Sequence, residues 1–175
     1  MDSPLSIRDV RPSDFRDIAS TYSGYYLEAD EDPSFGLILY KKKPGMAKNH
    51  KWFDDSLKSL RKGHLVFLVA VRDSRVVGWC EVRRVSPGTE MDHRGILGIC
   101  VRKEFRGMGL GRKLMEAALE KSKGKFEVVE LDVFSVNKRA IKLYEEFGFK
   151  KFGLRRAAVK RKERYYDILI MDLRP

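Results

Sequence analysis

The sequence predicts an α+β domain in which a mixed, mostly antiparallel sheet is flanked by helices. Three observations lead to this fold class. Segments of strand length with apolar or alternating residues recur along the 175-residue chain, separated by turn residues. Two longer segments, 110–123 and 137–147, carry apolar residues at helical spacing and lie between such strands. A glycine-rich turn connects the strand at 94–101 to the first of these helices. We therefore expect one domain covering residues 1–175, with about seven strands.

The predicted strands share short apolar or alternating runs that are bounded by Gly, Pro, Asp or Ser. They are residues 5–10, 65–71, 76–85, 94–101, 126–134, 149–153 and 165–173. The second and third of these strands are expected to pair antiparallel across a turn at Asp73 and Ser74. The helix at 110–123 is expected to join two neighbouring strands as a right-handed crossover.

Helices are predicted where apolar residues return every three or four positions. Besides the two already given, one begins at Pro12 and carries an apolar stripe to Tyr22, and a short one spans 52–61. Residues 23–51 show no regular pattern, so we expect an irregular segment there with a functional role. The connection 154–164 between the last two strands is strongly basic.

Charge and cysteine usage limit the classes of function. The formal net charge is +11, which suits nucleic acid, acidic substrates or simply a charged, soluble surface. The basic residues are not interleaved with aromatic residues as in a base-stacking platform. Cys80 and Cys100 lie in apolar segments without ligand spacing, so we expect buried, reduced thiols and no metal site. The longest apolar run, 65–71, is too short to span a membrane, and we expect a cytoplasmic protein.

The glycine-rich turn has the composition of an anion-binding site. Residues 106–111 read Arg-Gly-Met-Gly-Leu-Gly, between a strand and the start of a helix. The first amides of a helix lack intrahelical acceptors and the helix dipole favours negative charge there, so a phosphate group is the expected ligand. Arg112 and Lys113 add positive side chains. The alternative is a tight strand-to-helix turn with surface arginines.

Two motifs in this order resemble the GCN5-related N-acetyltransferase (GNAT) superfamily. The turn is similar to its pyrophosphate loop, [QR]-x-x-G-x-[GA]. The second signature, N-x-x-A-x-x-x-Y-x-x-x-G-F, is similar to the set Asn137, Ala140, Tyr144, Gly148 and Phe149. The last third of the chain is similar to the branches that act on protein N-termini, including ribosomal-protein alanine, and on amino acids or small amines.

This resemblance implies transfer of an acetyl group from acetyl-CoA to a primary amine in a ternary complex. It implies splayed central strands that form the coenzyme A cleft. Acceptor selection is expected in segment 23–51 for a different reason, because a long irregular segment in a compact domain is usually functional or mobile. It assigns the pantetheine arm, the pyrophosphate and the thioester to specific positions. These are Ile99, Cys100, Val101, Arg106, Gly107, Met108, Gly109, Leu110, Gly111, Arg112, Lys113, Asn137 and Tyr144.

The resemblance also suggests catalytic residues. Tyr144 would face the thioester sulfur as acid or hydrogen-bond donor, although a core position on the helix is the alternative. A backbone amide near Ile99 or Cys100 would stabilise the developing oxyanion. The family's glutamate on the central strand corresponds to Gly95, so the base would instead be Asp132.

Glu81 and His93 are the reserves for that base. For Asp132 and Glu81, an ion-paired carboxylate on a strand is an equally good reading. Two other functions stay open: a basic nucleic-acid-binding module and a regulator that binds acyl-CoA without catalysis. The assembly is expected to be a monomer or a homodimer.

Overall fold

The computed structural model describes residues 4–175, which form a seven-stranded sheet with helices on both faces. The strands are β1 Ser6–Asp9, β2 Leu65–Arg72, β3 Arg75–Arg84, β4 Arg94–Val101, β5 Val128–Phe134, β6 Lys150–Arg161 and β7 Arg164–Leu173. The helices are α1 Phe15–Glu31, α2 Met46–Arg61, α3 Leu110–Ser122 and α4 Lys138–Glu146. The 3₁₀ turns Pro12–Asp14 and Lys103–Phe105 precede α1 and α3. The predicted α+β class with a mixed sheet is confirmed.

The sheet has the order β1-β2-β3-β4-β5-β7-β6. Its neighbouring strands pair antiparallel except β4 and β5, which are parallel and are connected through α3. The hairpin between β2 and β3 turns at Asp73 and Ser74, both at positive φ, which matches the right-handed twist of the strands. Gly124 and Gly148 follow α3 and α4 at φ +70° and +90°, where a left-handed residue commonly ends a helix.

The two central strands separate partway along their length. β4 pairs with β5 only through Arg94–Ile96, against residues 128–130. Beyond Ile96, β4 continues to Val101 paired with β3 alone, and β5 continues to Phe134 paired with β7 alone. Facing backbone groups are left without sheet partners over this stretch, and such groups must bind something else. The predicted splay of the central strands is therefore present.

Two hydrophobic clusters cover the two faces of the sheet. One packs α3 and α4 against the sheet, with Leu114, Met115 and Met171 fully buried. The other packs α1 and α2 on the opposite face around Phe53 and Phe67. β2 lies between the two clusters, which is why it is apolar along most of its length rather than alternating.

The prediction of an irregular segment over 23–51 was wrong for most of its length. α1 extends to Glu31 and α2 begins at Met46, so only residues 32–45 lack regular structure. The apolar stripe of α1 continues past Gly24 to Tyr25 and Ala29, both buried. The first turn of α2 is exposed, so no apolar period reveals it. A helical turn with no buried residue leaves no apolar pattern in the sequence.

The basic connection 154–164 is also largely regular, since β6 runs from Lys150 to Arg161 rather than ending at Gly153. β6 is an edge strand with most residues exposed, so its side chains need not alternate. Its pairing with β7 is irregular between Arg155 and Val159, where the N–H of Ala157 donates to Asp167 Oδ1 at 2.8 Å.

Candidate active site

Two cavities meet at the splayed end of β4. The larger, about 950 Å³, lies between β4, the 106–112 turn and α4. The smaller, about 470 Å³, lies between the sheet, α1, α2 and the connection 32–45. Both are lined by Leu37, Gly98, Ile99 and Cys100. A molecule in one cavity can therefore approach a molecule in the other across a short stretch of β4.

The predicted anion site is formed by main chain in the larger cavity. Gly107 and Gly109 have φ of +86° and +76°, a conformation that glycine adopts without strain. Gly109 is the N-cap of α3 and makes no side-chain cap, so the first amides of the helix remain free for a ligand. No atom lies within 4 Å of the position of a Cβ at Gly109. These observations fit a phosphate group against the backbone.

Two of the predicted basic side chains, Arg106 and Arg112, are already engaged by other residues. Arg106 lines the larger cavity, yet its guanidinium donates to both oxygens of Glu28 and, through Nε, to the Val101 carbonyl at 2.8 Å. Arg112 pairs with Glu146 of α4. Arg106 thus connects the turn to α1, and the Glu28 carboxylate neutralises most of its charge.

Two basic residues that were not singled out from the sequence also line this cavity. Arg139 and Lys142 of α4 line it, and within residues 4–175 neither makes an ion pair. Arg139 Nη2 lies 3.5 Å from the position of a Cβ at Gly107. The signal was present in the second motif, because α4 begins beside the turn and positions 139 and 142 follow Asn137 on its first turns.

The other predicted coenzyme contacts differ in their access to the cavity. Ile99, Cys100, Val101, Leu110 and Gly111 line it, although Leu110 is buried and only its main chain is available. Met108 is 62% exposed, and its side chain is not part of the lining. Lys113 is also exposed outside the lining.

Asn137 has a structural role that the motif alone does not reveal. Its Oδ1 accepts the N–H of Ala140 at 3.1 Å and so caps α4. Its Nδ2 lies 2.6 Å from the position of a Cβ at Gly36, so only glycine fits opposite it in the connection 32–45. Asn137 still lines the larger cavity.

Tyr144 is both a core residue and a cavity residue. It is 7% exposed, packs with its ring centroid 6.0 Å from that of Phe149, and lines the larger cavity. Burial raises the pKa of its hydroxyl above the usual value near 10. The phenol is therefore protonated at neutral pH and can donate a hydrogen bond, while complete loss of its proton is unfavourable.

The two candidate carboxylates line different cavities. Asp132 lines the larger one, is exposed, and accepts a hydrogen bond from Arg155 Nη1 at 3.0 Å. Glu81 lines the smaller one, with 20% of its side chain exposed, and pairs with Arg83 at 3.0 Å. Burial raises the pKa of the Glu81 carboxyl, and Arg83 offsets only part of that effect.

Two glycines of β4 shape the surroundings of Glu81. The pairing of β3 with β4 is regular, so Gly98 forms no bulge. Glu81 is opposite Gly98, and its Oε1 lies 3.8 Å from the position of a Cβ there. Gly95 is buried, and a Cβ would lie 2.7 Å from Val82 Cγ1, so no carboxylate fits at this position.

Both cysteines were expected to be buried; Cys80 is buried, and Cys100, a residue that lines both cavities, is partly buried. Burial, and then the Glu81 carboxylate, raise the pKa of the Cys100 thiol to about 12. Very little nucleophilic thiolate is therefore present at neutral pH. His93, the other reserve base, lines neither cavity and contacts the Glu90 carbonyl at 3.0 Å.

The lining of the smaller cavity was missed by sequence reasoning. Aromatic and aliphatic side chains from α1, the connection 32–45, α2 and β3 dominate it. The aromatic ones are Phe15, Tyr22, Tyr40, Trp52 and Trp79. In the sequence these five residues share only one feature: they are large and aromatic and lie where the apolar pattern is weak. Residues of an ordinary hydrophobic core share the same feature.

No described helix is long and apolar enough to cross a bilayer. No cluster of three or more His, Cys, Asp or Glu side chains suited to a metal ion occurs among the described residues.

Comparison with known proteins agrees with this geometry. The family model for the acetyltransferase (GNAT) family matches residues 15–149. A Bacillus subtilis (strain 168) protein, named provisionally as a [ribosomal protein bS18]-alanine N-acetyltransferase, is 32% identical over 60% of this chain and 68% of its own. The L-amino acid N-acetyltransferase AaaT of Escherichia coli (strain K12) is 32% identical over 59% of this chain and 65% of its own.

The fold is also found in a solved structure. The yncA protein of Salmonella typhimurium, solved with its cofactor acetyl-CoA, superposes with a TM-score of 0.84 at 18% identity, over 98% of this chain and 94% of that one. The family match extends over most of the chain, so the protein belongs to the GNAT family of acetyltransferases. The predicted family and its acetyltransferase class are confirmed.

Proposed function

We propose that the protein transfers the acetyl group of acetyl-CoA to a primary amine held in the smaller cavity, by direct attack while both substrates are bound. The observation that carries this proposal is the meeting of the two cavities at Gly98, Ile99 and Cys100. Two separate but contiguous sites allow an amine and a thioester to be present together, which is what direct transfer requires.

The larger cavity fits acetyl-CoA, whose thioester carbonyl is the group that the amine attacks. The amides at the start of α3 suit the pyrophosphate, and Arg139 and Lys142 suit the remaining phosphate charge. The unpaired β4 main chain beyond Ile96 suits an extended amide-bearing arm. An amide near Ile99 or Cys100 would stabilise the charge that develops on the carbonyl oxygen.

Glu81 is the better candidate for the proton acceptor. It lines the amine cavity beside Gly98, and its pKa is raised toward the range where a carboxylate works as a base at neutral pH. Asp132 lines the coenzyme side and is held by Arg155. Asp132 therefore fits better as part of the cleft wall, although it was the first choice from the sequence.

Tyr144 is proposed to donate a hydrogen bond to the departing sulfur. A thiol titrates near 8.5, so a tyrosine whose pKa lies above 10 cannot favourably give up its proton completely to the thiolate. A hydrogen bond to the developing thiolate still stabilises it and requires no net transfer. The high pKa of Cys100 argues against an acetyl-cysteine intermediate and supports direct attack.

The experiment is thiol release from acetyl-CoA with a panel of primary amines, combined with calorimetric titration of coenzyme A. We expect binding of coenzyme A and turnover with at least one amine. Binding without turnover for any amine would identify a regulator instead. DNA binding that weakens with salt, with no coenzyme A binding, would favour the nucleic-acid module.

A further inference from the structure

The smaller cavity differs sharply between its interior and its mouth. Its interior is apolar, and Glu81 is the one carboxylate among the described residues that line it. Its border along the connection 32–45 and the start of α2, called the mouth, includes Lys48, and Lys41, Lys42 and Lys43 are close to this border in the sequence. An acceptor that fits both must combine one ammonium, an apolar group and negative charge farther out.

We propose that the acceptor is the N-terminus of a polypeptide whose first side chain is large and apolar and whose next residues are acidic. This inference rests on the proposed function, because it names the amine that occupies the smaller cavity. The α-amine would lie between Glu81 and the β4 main chain at Gly98, the first side chain among the aromatic residues, and the following residues at the mouth.

The interior favours an apolar first residue. Trp79 is 5% exposed and forms part of the cavity wall together with Tyr22, Leu39 and Trp52. A cavity of about 470 Å³ accommodates a large side chain, and apolar surface buried there contributes directly to binding. A polyamine fits poorly, because its second ammonium would lose water without a second carboxylate to receive it.

The mouth favours acidic residues after the first. Lys41, Lys42 and Lys43 lie between two lining residues of the cavity, Tyr40 and Pro44. Across residues 4–175, none of these three lysines makes an ion pair. Three unneutralised charges in a segment that borders the cavity attract anions and repel cations.

The start of α2 adds to this positive potential. Lys48 places its Nζ 3.7 Å from the ring centroid of Tyr40, on the cavity wall, and has no carboxylate partner among the described residues. α2 begins after Gly45 without a side-chain cap, and Pro44, Lys48 and Asn49 line the cavity, so the positive end of the helix dipole lies near the cavity wall.

A free amino acid fits less well than a peptide. Its carboxylate is attached to the carbon that bears the amine, so it would lie close to the Glu81 carboxylate, and like charges repel there. In a peptide this group is a neutral amide, and the chain can leave toward the lysines. Negative charge is then carried by side chains at the mouth.

The test compares kcat/KM in thiol-release assays for matched peptides. The reference is Met-Asp-Glu-Leu, and the others replace Met by Gly, or Asp-Glu by Lys-Lys; free phenylalanine and spermidine complete the panel. We expect the reference to exceed the Gly peptide by at least about tenfold, from the buried apolar surface. We expect it to exceed the Lys-Lys peptide by more than about tenfold at low salt.

A charge-matched pair of variants isolates the mouth. Lys43→Gln/Lys48→Gln removes one lysine shortly before α2 and one in its first turn. Lys58→Gln/Lys62→Gln removes one lysine in the last turn of α2 and one just after it. We expect only the first to reduce the preference for the acidic over the basic peptide, by about threefold to tenfold, with the difference fading as salt rises.

Three results bear against the inference in different ways. Equal or better use of the Gly peptide, the Lys-Lys peptide, free phenylalanine or spermidine would overturn it while leaving the acetyltransferase function intact. Equal loss of charge preference in both double variants would also overturn it. No turnover with any amine, with coenzyme A still bound, would defeat the proposed function and this inference with it.

Discussion

The larger cavity, which is the proposed coenzyme cleft, and the smaller one, which is the proposed amine cavity, are built from different parts of the chain in different ways. The cleft uses main chain from consecutive residues, the 106–111 turn and the free edge of β4, together with the start of α4. The amine cavity uses side chains from α1, α2, β3 and the connection 32–45. A backbone site needs glycine at fixed positions, whereas a side-chain site tolerates many residue types. The first therefore leaves a motif in the sequence, and the second does not.

The largest expected effect comes from placing a carboxylate in the backbone site. Gly109→Asp should abolish detectable coenzyme A binding, because a negative side chain would enter the space where phosphate meets the helix amides. Isothermal titration calorimetry measures the affinity. Gly124→Asp is the matched control, since Gly124 also has positive φ and open space but lies at the opposite end of α3. Unchanged affinity in a folded Gly109→Asp protein would contradict the pyrophosphate assignment.

A smaller but still large effect is expected at the amine cavity. Glu81→Gln should lower kcat/KM by about 10²- to 10⁴-fold at neutral pH, because the amine loses its proton acceptor. A raised pKa means that the wild-type base is lost by protonation as pH falls through that value, above the ordinary glutamate range. The deficit of Glu81→Gln should therefore shrink at low pH and again at high pH, where the amine is already neutral.

The control for Glu81 is the carboxylate on the coenzyme side. Asp132→Asn should change kcat/KM only slightly, because that side chain is exposed and paired with Arg155. pH profiles from 6 to 9.5 separate the two residues. If Asp132→Asn rather than Glu81→Gln shows the pH-dependent deficit, Asp132 on the coenzyme side is the base and Glu81 is not.

Tyr144 is expected to affect catalysis without affecting coenzyme binding. Tyr144→Phe should lower kcat by about 10- to 100-fold through loss of a hydrogen bond to the developing thiolate, with coenzyme A affinity nearly unchanged. The ring still packs near Phe149, so the fold should be retained. Single-turnover rates measure the chemical step. An unchanged rate would return Tyr144 to a purely structural role on α4.

The smallest expected effect concerns the connection 32–45, because Leu37 in this segment lines both cavities. Arg161 in the β6–β7 hairpin donates to the carbonyls of Pro33, Phe35 and Leu37 at 2.5 to 3.2 Å, and Leu37 lines both cavities. Arg161→Lys keeps the charge but cannot bond three carbonyls in fork geometry. We expect KM for both substrates to rise about threefold to tenfold, with a smaller change in kcat.

Arg164→Lys supplies the control for the hairpin, because Arg164 is exposed and begins β7 beyond the turn. It should leave both KM values unchanged. A rise in only one KM for Arg161→Lys would mean that the connection 32–45 serves one cavity, and that the two regions are independent.

The fold class, the central strands, α3, α4 and the glycine-rich turn that is proposed to bind the coenzyme could be predicted from the sequence. These elements have strong signals, since buried strands and amphipathic helices repeat at their own periods and the 106–111 turn requires glycine. The splay was expected only through family resemblance. The pairing of β4 with β5 through Arg94–Ile96 alone makes it explicit.

Which carboxylate lines which cavity could be seen only in the folded structure. Glu81 and Asp132 read alike in the sequence, as carboxylates on strands, but they line different cavities because β3 and β5 lie on opposite sides of β4. The fastening of segment 32–45 by Arg161 joins residues more than a hundred positions apart. The periodicity of a segment indicates only which face of that helix or strand is buried. The environment of a carboxylate or guanidinium depends on which elements, distant in the sequence, pack beside it.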